Sequence, residues 1–277
     1  MLSPRSITLG IHRSENGTYY RRNKMIDVKG KWALITGAAR GIGYGAAKFM
    51  AERGCNLILH GRTAEHCAKV LEEVKALGVE AYAVGAEFSD LAQVERMLAD
   101  IDALGRQIDI VLNNAGVQVA YRTDYLATPA SDYEKSFLIN TIAPMMIVYH
   151  FLPEMQKRGF GRIVNTTSGI RLEPEQAGYS ASKAALDKVT FDLASKYNGT
   201  DVIISLTDPG WCRTDLGGQH APNAPESSLP GVVVGAFVDD KISGRNFAAG
   251  YFHGMTLEQA VEYAEKNIPK YTGSIGN

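Results

Sequence analysis

The sequence predicts an α/β fold: a single doubly wound parallel sheet flanked by helices. Three observations carry this. Six short runs are apolar through their centres, helix-length amphipathic segments separate most of them, and the first run passes directly into a glycine-rich turn. Strands that are apolar throughout suit a sheet covered on both faces, and regular β/α alternation implies βαβ crossovers. The 277 residues, 45% hydrophobic and 21% charged, are enough for one large domain with a well-buried core.

Residues 1–28 precede the first apolar run as an N-terminal extension carrying Arg5, Arg13, Arg21, Arg22 and Lys24. It reads as a solvated tail or as an arm packing on a neighbouring subunit, and it has no apolar core of signal-peptide length. From residue 29 to 277 a single domain is expected. Strands are predicted over 32–36, 56–60, 80–84, 108–112, 162–166 and 202–206, and helices over 42–53, 64–77, 91–104, 132–158 and 176–197. Gly54 and Gly78 stand where helices end in a left-handed residue. The stretch 217–230, "GGQHAPNAPESSLP", is rich in Gly, Pro and Ser and reads as a long loop, placed where a substrate lid is often found. Thr256 and Gln259 form a capping-box pattern that opens a last helix through about Asn267.

Composition excludes several functions. A formal charge of −1 gives no general field for an anionic polymer, so no nucleic-acid partner is expected. Cys55, Cys67 and Cys212 are odd in number and lack metal spacing, as do the 6 histidines, which predicts reduced thiols, a cytoplasmic location and no metal. The longest apolar run, "TIAPMMIVY" over 141–149, is too short to span a bilayer and contains Pro144; it reads as a buried helix. No membrane association is expected, and the Asn-x-Thr triplets at Asn16 and Asn198 are read as unglycosylated.

Two local patterns carry chemistry. In "GAARGIGYG" after the first strand, Gly37 permits a tight turn, Gly41 lets the backbone approach a pyrophosphate, and Gly43 lets the helix pack close to the strand. The amides of that helix terminus would face the anion. In "YSASK", Tyr179 and Lys183 lie four apart, on one face of a helix. A free tyrosine titrates near pH 10; bringing it to neutrality requires about three pK units, roughly 4 kcal/mol, and a nearby ammonium would stabilise the phenolate. The second strand ends in "HGRT": Gly61 stands where an NAD-selective site would hold an acid. Arg62, with Arg40 in the turn, suits the 2′-phosphate of NADP; alternatively, Arg62 only stacks on the adenine.

"TGAARGIG" (36–43), "NNAG" (113–116), "YSASK" (179–183) and "PGWCRT" (209–214), in this order, resemble the signatures of the short-chain dehydrogenase/reductase family over about 29–216. The resemblance implies a Rossmann-type domain, a nicotinamide cofactor, NADP(H) favoured over NAD(H), and a homodimer or homotetramer. By the same resemblance Tyr179 is the general acid/base, Lys183 lowers its pKa and holds the nicotinamide ribose, Ser168 bonds the substrate oxygen, and Asn140 holds a water that passes protons to Lys183. Gly37, Arg40, Gly41, Ile42, Gly43, Arg62, Glu87, Phe88, Asn114, Tyr179, Lys183, Cys212 and Thr214 are the expected cofactor contacts, with Glu87 and Phe88 beside the adenine and Cys212 and Thr214 against the carboxamide. The interval from Ser168 to Tyr179 is shorter than in many members, which leaves Thr166 or Thr167 as alternative hydroxyls. Cys212 as a nucleophile finds no neighbouring histidine in sequence. The expected activity interconverts a secondary alcohol and a ketone. A bulky apolar ketone such as a steroid is suggested by likeness to bacterial hydroxysteroid dehydrogenases, the 217–230 loop, and Tyr251, Phe252 and His253. A sugar, polyol or 3-oxoacyl substrate is the alternative. A non-catalytic dinucleotide-binding regulator is the reading from another class, and a lyase or epimerase is disfavoured.

Overall fold

Strand-forming residues here are the β-branched and apolar runs that can be buried on both sides. The computed structural model describes residues 11–13, 19–21 and 25–273. Most of the N-terminal extension, with Arg5, Arg22 and Lys24 and the choice between tail and arm, lies outside the described residues. Within it, β1 (Ile11–Arg13) and β2 (Tyr19–Arg21) pair antiparallel.

The remaining elements follow in chain order: β3 (Trp32–Ile35), α1 (Gly41–Ala51), β4 (Asn56–Gly61), α2 (Ala68–Ala76), β5 (Ala81–Gly85), α3 (Leu91–Ala103), β6 (Ile108–Asn113), α4 (Ala130–Phe137), α5 (Ala143–Arg158), β7 (Gly161–Thr166), α6 (Ala177–Ala194), β8 (Val202–Asp208), β9 (Asn246–Ala248) and α7 (Leu257–Asn267). β3 to β9 form one sheet of 7 strands in the order β5-β4-β3-β6-β7-β8-β9. Every neighbouring pair is parallel. The strand order reverses between β3 and β6, and a crevice at the carboxyl ends of such strands is where α/β sheets bind ligands.

Alternate residues serve opposite faces. In β3, Ile35 joins a core with Met50, Leu57 and Phe237, while Leu34 joins a second core with Ile58, Val111 and Ile204. Both faces are therefore covered, as the apolar runs require. Gly54 and Gly78 have φ of +75° and +88°, the left-handed residues expected after α1 and α2. The capping box closes at α7, where the Gln259 amide donates to Thr256 Oγ1 and the Thr256 amide donates to Gln259 Oε1.

The structure corrects the sequence reading in three places. β9 was not predicted, because three residues carry too little periodicity to register. The helix expected over 64–77 begins as a 3₁₀ turn at Ala64–Cys67. The helix expected over 132–158 is divided by a π-helical turn at Leu138–Ile142, which leaves Pro144 in the first turn of α5, where its missing N–H breaks no bond. The continuous stretch Ala130–Arg158 is long and apolar enough to cross a membrane, but 61% of its apolar window is buried against the sheet and α6.

Candidate active site

β3 delivers the glycine turn to the carboxyl end of the sheet. Gly37 and Gly41 have φ of +65° and +57°, where a side chain is strained. A Cβ on Gly43 would lie 2.2 Å from the Gly37 carbonyl oxygen and 2.5 Å from Asn114 Nδ2. That contact explains why the third glycine admits nothing larger. No side chain caps α1 at Arg40, so the Arg40 side chain does not satisfy the first helical amides. Asn114 fastens the turn from below: Nδ2 donates to the carbonyls of Thr36 (3.1 Å) and Gly37 (3.3 Å). Its own amide and that of Ala115 both donate to Thr36 Oγ1 at 3.0 Å. Ile42, in the first turn of α1, packs against the core and anchors the turn.

His60, which sequence reasoning passed over, is a second anchor. The Gly37 amide donates to its Nδ1 (3.2 Å), so the ring proton sits on Nε2 and is donated to the Ala86 carbonyl at 2.9 Å. Burial pushes its pKa down to about 4, holding the ring neutral in this tautomer. Phe88, expected beside the adenine, is instead a core residue stacked on His60 with ring centroids 4.2 Å apart. Alternation along the chain explains the difference: Glu87 is half-buried, and Phe88 turns inward. The Glu87 carboxylate accepts the Ser89 amide at 3.2 Å.

At the other end of the crevice Gly61 closes β4 and Arg62 projects into solvent. Arg40 is held by an ion pair to Asp215 Oδ2 at 2.7 Å, with both side chains about two-thirds exposed (68% and 67%). Thr214 leans on the same turn, its Cγ2 standing 3.1 Å from where a Gly41 Cβ would be. Cys212 is buried, its thiol donates to the Pro209 carbonyl, and burial pushes its pKa up. That is the opposite of what a nucleophile needs.

α6 presents Tyr179 and Lys183 on its buried face, 8% and 4% exposed. The Lys183 ammonium donates to the Thr166 carbonyl at the end of β7 (2.7 Å). Burial draws its pKa down to about 8, against the pull of Asp187 and Asp208. Burial pushes the Tyr179 pKa up, the facing Ser168 hydroxyl draws it back, and Asp208 adds to the rise. The Lys183 ammonium that was expected to acidify the phenol is directed at the Thr166 carbonyl. Ser168, rather than Thr166 or Thr167, stands beside the phenol; Thr167 is buried facing Asp187.

Asn140 sits inside the π-helical turn and is fully buried. Its side chain is spent on protein partners: Oδ1 accepts the Val117 amide (2.8 Å), while Nδ2 donates to the Val117 carbonyl (2.9 Å) and to Ser182 Oγ (3.0 Å). The Ser182 hydroxyl in turn donates to the Tyr179 carbonyl (2.7 Å). A Cβ on Gly116 would lie 3.2 Å from Asn140 Oδ1 and 3.5 Å from Lys183 Nζ, so the strand end, the π turn and α6 converge on one point. A deeper amide bridge, Asn113 Nδ2 donating to Asn165 Oδ1 (2.9 Å) and Asn165 Nδ2 to Thr190 Oγ1 (2.9 Å), ties β6, β7 and α6. Spacing along the chain gives no sign of it, because its members are 52 and 25 residues apart.

Loops at the carboxyl edge frame the opening. The 217–230 segment is tied back: the Arg213 guanidinium donates to the Ala221 and Pro222 carbonyls, and Asn223 Nδ2 to the Trp211 carbonyl. Tyr121, Leu172 and Trp211 are exposed large apolar residues on the loops after β6, β7 and β8.

A family model described as short chain dehydrogenase matches residues 31–224. Oxidoreductase UcpA of Salmonella typhimurium is 35% identical over 207 residues, covering 72% of this chain and 78% of the relative. A 3-oxoacyl (acyl-carrier-protein) reductase from Agrobacterium tumefaciens, solved with NADP bound, is similar with a TM-score of 0.63 and 28% identity over 68% of this chain and 72% of its own. A 7α-hydroxysteroid dehydrogenase, solved with NADH and 7-oxo glycochenodeoxycholic acid, has a TM-score of 0.60 and 27% identity over 68% of this chain and 73% of its own.

Proposed function

The chain belongs to the short-chain dehydrogenase family, and from that premise we propose that it is an NAD(P)-dependent oxidoreductase interconverting a secondary alcohol and a ketone. The observation that carries the reading is the buried phenol of Tyr179, one helical turn from Lys183 and facing Ser168. A nicotinamide dinucleotide fits the residues present: Gly37, Gly41 and Gly43 form a cradle that side chains would fill, and the uncapped start of α1 suits its pyrophosphate. When bound, it takes up or supplies the hydride.

The chain's own residues handle the proton. In reduction the Tyr179 hydroxyl gives its proton to the carbonyl oxygen, and in oxidation the phenolate removes it from the alcohol. Burial holds the phenol protonated near neutrality, the form that reduction uses. Ser168 orients the substrate oxygen. Lys183, kept close to its titration range, restores the phenol's proton and holds the ribose, and Asn140 positions α6 through Ser182. Arg62, exposed at the end of β4 where no acid stands, supports NADP(H) over NAD(H), with Arg40 exchanging Asp215 for phosphate.

The apolar rim of Tyr121, Leu172 and Trp211 supports a bulky ketone, in line with the steroid dehydrogenase among the similar structures. The similarity to a 3-oxoacyl reductase supports an acyl-chain ketone equally. A homodimer or homotetramer belongs to the same reading, supported by exposed Ile142 and Tyr149 on the helical stretch outside the core.

The test is a panel of ketones and alcohols with NADPH and NADH in parallel. Turnover is expected with at least one member, and Tyr179→Phe should lose roughly 10²–10⁴-fold in kcat while still binding NADPH. A variant that retained most of its turnover would refute the proton-transfer role. Binding of NADPH without any turnover across the panel would favour the regulator.

A further inference from the structure

We propose that Asp208 is a specificity-determining residue: its carboxylate selects ketones bearing a hydroxyl or ammonium donor beside the reacting carbon and disfavours those bearing a carboxylate there. The inference rests on the proposed role of Tyr179 and deepens it to a substrate class.

Asp208 closes β8, and the pairing of Thr166 with Thr207 places it alongside the turn that leaves β7 with Ser168 and Gly169. The approach is close: a Cβ on Gly169 would lie 2.8 Å from Asp208 Oδ2. A glycine immediately after Ser168 is what allows the carboxylate to lie over this turn.

The two carboxylate oxygens have different surroundings. Oδ1 accepts the Gly210 amide at 2.9 Å, closing a turn that holds the side chain in one direction. Oδ2 meets no hydrogen-bond donor or cation among the described residues. The Lys183 ammonium is committed to Thr166, the Arg213 guanidinium to the Ala221 and Pro222 carbonyls, and Arg171 acts on Asp187. A turn-closing role needs one acceptor, which asparagine supplies as well and serine more weakly. The second, charged oxygen is surplus to that role.

Its charge reaches the reacting groups. Asp208 pushes up the Tyr179 phenol, opposes the fall at Lys183 and raises the Cys212 thiol, three groups from two elements that border the opening. A substrate whose carbonyl oxygen lies between Ser168 and Tyr179 therefore has a neighbouring substituent facing Asp208. A hydroxyl or ammonium there donates to Oδ2, whereas a carboxylate meets the like charge of half-buried Asp208.

The test measures kcat/KM with NADPH for acetophenone, its α-hydroxy derivative and benzoylformate, using the full chain and Asp208→Asn. Asparagine keeps the acceptor for Gly210; Asp208→Ser serves if the first variant melts early. The wild type should prefer the α-hydroxy ketone to benzoylformate, and the variant should narrow that ratio by about tenfold or more, mainly through KM, with the NADPH Kd unchanged. An unchanged ratio in both folded variants, with acetophenone still reduced, overturns the inference and leaves the oxidoreductase reading intact. A wild type that binds NADPH but reduces neither these ketones nor any of the broader panel removes both.

Discussion

Replacing His60 with glutamine examines the anchor beneath the glycine turn. A histidine titrates near 6.5 in the unfolded chain and at about 4 here, because burial disfavours the cation. The folded-state value is lowered, so the unfolded chain takes up the proton first. Stability is therefore fully present above pH 6.5 and is lost as pH falls through about 4. The gap from 6.5 to 4 is 2.5 pK units, and at roughly 1.36 kcal/mol for each the loss is about 3 kcal/mol, most of it complete by about pH 4.5. The same protonation puts a hydrogen on Nδ1, which then cannot accept the Gly37 amide. Dinucleotide affinity should thus fall over the same acid range. Urea unfolding of the wild type and His60→Gln at intervals from pH 7.5 to 4.5, with NADPH binding followed in parallel, measures both. Glutamine keeps an acceptor without titrating, so its curve should be flatter by about 2.5 kcal/mol over that span. Equal acid sensitivity in the two proteins would refute the anchoring role.

Three further outcomes are expected. Gly43→Ala should cost about 1–3 kcal/mol and weaken NADPH at least tenfold, since its methyl would enter the Gly37 carbonyl; Gly45→Ala, 3.4 Å from Leu229, should be neutral or slightly stabilising, and both are read by thermal melting and cofactor titration. Asn140→Ala strips the partners from the Val117 amide and carbonyl and from Ser182, and should lower stability by about 3 kcal/mol in a denaturant midpoint, with activity falling further as α6 shifts. Arg62→Ala should raise the NADPH Kd about tenfold while changing that of NADH less than about twofold; equal effects would return Arg62 to adenine stacking.

Features that repeat over a few residues were readable from the chain alone. Apolar runs of strand length reported a sheet covered on both faces, and 34/35 alternation in β3 bears that out. A glycine turn after the first strand and a Tyr-to-Lys spacing of one helical turn are equally local, so the turn at Gly37, Gly41 and Gly43 and the shared helix face of Tyr179 and Lys183 were legible in the chain. Which side chains meet across strands emerged with the folded sheet. Phe88 turned from the crevice to stack on His60; the helix around Asn140 opened into a π turn; Asn113 found Asn165; and Asp208 came to lie over Gly169. Local periodicity reports the backbone state of a segment, whereas these contacts depend on strand order and register, which only the packing of the whole sheet sets. The setting of the Tyr179 phenol is decided the same way: burial raises its pKa, the Ser168 hydroxyl opposes the rise, and Asp208, 29 positions later in the chain, adds to it.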